Sequence, residues 1–272
     1  MTNQMGYAKN LAEDTGKSYS RNVWKGCPIK DIRDGYRDGI VFEDRFTKGP
    51  TLAAGAVTVV GNGYRSRTGS GNTVALADAV GGGIVMTTGA GNTECQIATL
   101  GTPFQISAGL GDFWLEARVE LDSIADNEPG WFIGLCDSTV FSAIIPIAAD
   151  GTMADLNFCG FHRSEADGDK LDTIYRADNA GSTVNSTKTV KADAVTLEAA
   201  TAVKLGMHFD TDDNVLTFFK NGVALADTKV IPDATGTDFP ADVRLGLVIA
   251  GLSGSGGSGT NTVSWIRAAQ LT

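Results

Sequence analysis

The sequence predicts an all-β sandwich of antiparallel strands. Three observations carry this. Short apolar segments recur between turns rich in Gly, Asp, Asn and Ser, several of them alternate with a period of two, and no segment forms a long amphipathic helix. Glycine supplies 34 of the 272 residues, about an eighth against a usual ~7%, while Gly and Pro together stay below the ~25–30% of a low-complexity chain. The excess glycine therefore reads as turns.

The clearest strand is Phe113-Trp114-Leu115-Glu116-Ala117-Arg118-Val119-Glu120-Leu121. Phe113, Leu115, Ala117, Val119 and Leu121 share one face, and Trp114, Glu116, Arg118 and Glu120 share the other. Lys204–Phe209 repeats the pattern with Leu205, Met207 and Phe209 inward, and Val243, Leu245, Leu247 and Ile249 repeat it again. Trp131–Cys136 is a mostly apolar run, expected of a strand covered on both faces. Further strands are expected at Gly55–Val60, Ile84–Thr88, Cys95–Thr99, Leu156–His162, Thr173–Arg176, Val215–Phe219 and Thr262–Ala268. The nearest helical candidate, Asp193–Val203, is weakened by its Thr and Val. Thr68-Gly69-Ser70-Gly71-Asn72-Thr73 is echoed by Thr88-Gly89-Ala90-Gly91-Asn92-Thr93, a turn used twice.

Residues 1–39 differ from residues 40–272. They are polar and aperiodic, yet they carry Tyr7, Tyr19, Trp24, Ile29, Ile32 and Tyr36. A solvated linker seldom holds so many large apolar groups, so the segment reads as an extended arm. Either it wraps its own domain, or Tyr19, Trp24, Ile29, Ile32 and Tyr36 anchor it to another chain.

Charge and motif content then exclude several functions. The formal net charge is −10, which leaves no basic surplus for a nucleic-acid backbone or an anionic membrane. No run of ~18 apolar residues is present, and no secretory leader is expected at Met1–Met5. Cys27, Cys95, Cys136 and Cys159 are widely spaced and form no Cys-x-x-Cys pair, so no zinc ribbon or redox motif is predicted. The only histidines are His162 and His208, each in a strand-like segment. Asp210-Thr211-Asp212-Asp213-Asn214 has the oxygen spacing of a calcium loop, but Val215 and Asn221 stand where Gly and Glu are needed, so a polar turn is expected. Asp126-Asn127-Glu128 and Asp167-Gly168-Asp169 are further acidic turns. Glu120-Leu121-Asp122 opens a glycosidase-like pattern that lacks its second glutamate. The expectation is no catalytic residue, no cofactor, no metal and no enzymatic activity.

Val203–Asp210, an acidic turn and Asn214–Lys220 ending in Asn221-Gly222 resemble the hairpin of concanavalin A-like, or laminin-G-like, jelly-roll domains. Asn-Gly supplies two positive-φ residues for a tight turn. Phe42-Glu43-Asp44-Arg45-Phe46 resembles the first strand of such domains and Val263–Ala268 the last. The layout of a polar arm before a jelly roll is also similar to structural proteins of tailed-phage virions. That resemblance implies a capsid decoration protein, made in the host cytoplasm and placed on the capsid surface. Its partners would be the major capsid protein and neighbouring copies of itself, as a homo-oligomer or lattice. The alternative is a carbohydrate-binding module, a head-fibre or tail component that contacts host glycans, with Trp114 as an outward platform for a sugar ring.

Overall fold

A computed structural model describes residues 18–47, 57–60, 63–77, 82–89, 93–126, 128–137, 153–178, 187–232, 238–253 and 257–272. Tyr7, Asn127 and parts of the repeated turn lie outside them. Among the described residues, two antiparallel sheets face each other. The front sheet runs β14 (Val223–Ala224), β13 (Val215–Lys220), β12 (Val203–Asp210), β7 (Phe113–Leu121), β16 (Gly259–Leu271), β5 (Ile84–Thr88), β4 (Thr73–Leu76), and β1 (Gly39–Asp44) pairs with the second half of β16. The back sheet runs β11 (Lys188–Thr196), β10 (Lys170–Arg176), β9 (Phe158–Arg163), β8 (Gly130–Cys136), β15 (Gly246–Ser253), β6 (Thr93–Thr99), β3 (Tyr64–Thr68), β2 (Val57–Val60). The jelly-roll sandwich expected from the sequence is the fold.

The core follows from alternation. Phe113, Leu115, Ala117, Val119 and Leu121 of β7 meet Trp131, Ile133 and Leu135 of β8, with Leu205, Met207 and Phe209 beside them. At ~25 cal/mol per Å² of apolar area removed from water, this inter-sheet layer is the main source of stability. Asn221 and Gly222 have φ of 49° and 78°, as a tight hairpin turn between β13 and β14 requires. Asp210–Asn214 is a turn in which one Asp210 carboxylate oxygen accepts the amides of Asp212 and Asp213. Among the described residues, no group of three or more acidic, His or Cys side chains could hold a metal.

Asp193–Val203, the weak helical candidate, forms no helix: β11 runs to Thr196 and an extended turn leads to β12. One expectation is corrected here. The one helix among the described residues, α1 (Ile29–Arg33), lies in the arm that the sequence left aperiodic. Its five residues bury only Ile32, too few for a helical period to show. No helix is long and apolar enough to cross a membrane among the described residues. All four cysteines are free.

Candidate functional site

The arm folds back onto the outer face of the front sheet. Strand register sets that face in rows. His208 on β12, Trp114 on β7 and Ala269 on β16 form one row; Gly206, Glu116 and Arg267 form the next; Lys204, Arg118 and Trp265 form the third. The arm crosses these rows as a chain of turns from Ser18 to Cys27.

Each row grips it differently. The Glu116 side chain is fully buried, and its Oε2 accepts the Ser20 amide at 2.9 Å and the Trp24 indole N–H at 3.0 Å. Burial pushes its carboxyl up, against the pull of Ser20 and Lys204. Lys204, also buried, donates to the Ser18 carbonyl at 2.9 Å. Gly206 leaves room for the buried Val23: a Cβ there would stand 2.9 Å from Val23 Cγ2. The Arg267 guanidinium lies 4.3 Å from the Tyr19 ring centroid and 4.5 Å from that of Trp24, a cation–π arrangement. Tyr19 packs edge-on against Trp265 at 4.6 Å and donates to Glu43 at 2.6 Å. Its phenol is pushed up to about 12, first by burial and then by Glu43. Burial works to raise the Glu43 carboxyl, but Tyr19, Arg267 and Arg33 outweigh it and hold it low.

Trp114 is therefore not the outward platform expected from the alternation. It is fully buried, donates to the Lys25 carbonyl at 3.3 Å, and stacks on His208 with ring centroids 5.4 Å apart. The alternation put it on the right face; the arm covers that face. Of the five arm residues singled out from the sequence, Tyr19, Trp24 and Ile32 contact or are buried by this chain's own sandwich. Ile29 is half-buried, and Tyr36 stands 83% exposed. Glu120 is half-buried, and Asp122, exposed at the end of β7, accepts the Thr260 amide. Across the sheet Glu120 stands opposite Thr262, not a second glutamate.

Where the arm ends on the sheet it completes a groove of about 480 Å³. The walls are Asn22, Lys25 and Gly26 from the arm, Asp112 before β7, His208 and Asp210 from β12, and Phe219 and Ala224 from the adjoining hairpin. That volume falls in the ~300–1,000 Å³ range of small-ligand sites. Asp112 Oδ1 accepts the Thr211 amide at 2.9 Å, and Asp210 is fixed by the two turn amides, so both carboxylates are held by backbone. Burial lowers the His208 pKa, while Asp112 and Asp210 pull it up and Lys25 pulls it down. The groove thus joins two carboxylates, an amide, an ammonium and an imidazole backed by an indole. That set can accept and donate hydrogen bonds to hydroxyl groups while a ring face lies against it. The sequence reading missed Asp112, Lys25 and Asn22 here. One signal was present: His208 and Asp210 sit two apart on one strand, so they share a face.

No protein-family model matches the sequence, and no curated protein matches it either. Solved structures do. Peanut lectin superposes with a TM-score of 0.54 at 11% identity, covering 86% of this chain and 98% of the lectin. The mixed-linkage glucan GH16 protein of Bacteroides ovatus, in complex with a product, gives 0.54 at 11%, covering 84% and 99%. An endo-1,3-beta-glucanase of Streptomyces sioyaensis gives 0.52 at 16%, covering 85% and 95%. These likenesses show a fold that lectins and glucanases share. They also overturn one expectation. The sequence reading excluded an enzyme, but glucanases use this same sandwich, and the groove contains two carboxylates. The exclusion does not stand.

Proposed function

We propose that this chain is a carbohydrate-binding jelly-roll module, carried on a tailed-phage virion as a head-fibre or tail component. The observation that carries the binding reading is the groove at Asp112, His208 and Asp210, with its fixed carboxylates and stacked imidazole. It is supported by the fold's use in a lectin and in a GH16 protein in complex with a product. The ligand it suits is a neutral sugar rich in hydroxyls, since two carboxylates would repel an acidic one. The test is titration with a panel of neutral oligosaccharides, including host envelope sugars, by calorimetry, with reducing-end release followed in parallel. Binding that falls at least tenfold in both His208→Ala and Asp210→Asn is expected. A panel without hits, or binding indifferent to both variants, would reject the groove. Sugar release lost in Asp112→Asn would turn the module into a hydrolase.

The virion placement rests on the arm-plus-jelly-roll resemblance. A second reading, capsid decoration in contact with the major capsid protein, is favoured by Tyr36. It projects from an exposed stretch of both charge signs, Lys30, Arg33 and Arg37 beside Asp31, Asp34 and Asp38. Mass spectrometry of purified particles should find the chain, and Tyr36→Ser should reduce its occupancy if this stretch docks on the capsid. Particles without the chain would end both placements.

A further inference from the structure

The face beneath the arm is built as a receptor for a peptide. It reads the segment Ser18–Cys27 through side chains, not through continuity of the sheet. Glu116 takes a backbone amide and an indole, Lys204 takes a backbone carbonyl, and Trp114 takes the carbonyl of Lys25. Two glycines make the relief. A Cβ on Gly206 would meet Val23 at 2.9 Å, and one on Gly222 would meet Ser20 Cβ at 2.7 Å. The Asn22 side chain closes the contact by donating to the Gly222 carbonyl at 2.9 Å.

The connection from this segment to β1 is different. Across residues 28–38 only Ile32 is buried. Gly26 and Gly35 bracket α1 with φ of 76° and 75°, and nothing lies within 4 Å of a Cβ at either. Such unencumbered left-handed positions can absorb a large backbone change at small steric cost. Gly39 is the opposite case: a Cβ there would meet the Gln270 carbonyl at 2.7 Å, so β1 is fixed. A firmly held peptide is thus joined to a firmly held strand by a sparsely held link.

We propose that this socket also takes the Ser18–Cys27 segment of a second copy of this chain, so that copies assemble by exchanging arms. The exchanged form makes the same contacts as the closed form, and only effective concentration decides between them. For a short flexible link that concentration is in the ~mM range, so closed monomers prevail in dilute solution and exchange prevails where copies are crowded. Because Asn22, Lys25 and Gly26 line the groove, each groove in an exchanged pair is built from two copies. The exchange itself does not depend on what the groove binds.

A disulfide trap between full-length chains tests this. One preparation carries Val23→Cys and the other Gly206→Cys. The two positions can bridge between copies only when the arm of one lies in the socket of the other. Mixed at increasing concentration in a thiol redox buffer, they should give a covalent heterodimer whose yield rises with concentration. Moving the arm cysteine from Val23 to the exposed Tyr36, which lies in the link and not in the socket, should cut that yield severalfold. Should Gly206→Cys lose the circular dichroism of the sandwich, the pair Ser20→Cys and Gly222→Cys reports the same exchange. Absence of a heterodimer from folded chains at every concentration, or an equal yield with the cysteine at position 36, would overturn the proposal.

Discussion

Both sheets have covered outer faces, but the covers are of opposite kinds. Behind the back sheet, Phe132, Cys136, Phe158, Ile174, Val248, Ala250 and Leu252 form a second apolar cluster with Met153 and Leu156. Phe132 and Phe158 meet edge to face at 5.9 Å. On the front sheet the corresponding positions hold Glu116, Lys204, Trp114 and Arg267, and the cover is the arm, hydrogen-bonded through its backbone and packed through Tyr19, Val23 and Trp24. The back face is a continuation of the core, while the front face is a recognition surface occupied by the molecule's own chain. Burying Glu116 and Lys204 costs desolvation that apolar residues would avoid. What charge contributes instead is direction: the arm has one register, set by which amide and which carbonyl meet each side chain.

Truncation separates the two faces, and the largest effect belongs to the back. Phe132→Ala removes a fully buried ring and should cost about 3–5 kcal/mol of global stability. Denaturant unfolding should show it as a lowered midpoint, with amide exchange at Ser20 unchanged relative to the sandwich. Glu116→Ala strips the partner from the Ser20 amide and the Trp24 indole, at about 1–3 kcal/mol for groups left unsatisfied. This loss is bounded by the arm's own docking energy, since the arm can lift and let water reach those groups. The expected signature is fast exchange at Ser20 with β7 amides still protected. If Glu116→Ala lowered global stability as much as Phe132→Ala, the front cover would be core and not a docked peptide.

The same contrast explains what was legible in the sequence. Alternation in β7 and the unbroken apolar run of β8 both reported burial correctly, because side-chain direction has a period of two. Strand β3 escaped notice since its inward residues include Ser66 and Thr68, both buried yet polar. β11 escaped because most of its residues face water. The outward placement of Trp114 followed from pattern, but no pattern states what lies over an outward residue. The fit of Val23 against Gly206 joins two segments far apart in the chain, and neither residue is unusual alone. The groove is subject to the same limit, since Asp112 and Lys25 become neighbours of His208 only through sheet register and arm placement.

The smallest effect sharpens the contrast by pH. Burial lowers the His208 pKa below its ordinary value of 6.5. The folded protein therefore binds fewer protons at this site than the unfolded chain does, and stability rises with pH across the interval between the two values. The contribution is complete above the ordinary imidazole range. It is lost as pH falls from there toward the lower folded value. Protonation also places a cation beside Lys25, at the point where the Lys25 carbonyl receives the Trp114 indole. Asp112 and Asp210 face the same ring and temper the effect, so the shift should be modest. Melting temperature should decline slightly on acidification below about pH 6.5, and His208→Phe should flatten that slope while keeping the stack on Trp114. An identical slope in His208→Phe would mean that other groups, such as the paired carboxylates, set the acid sensitivity, and that the front face does not loosen through its imidazole.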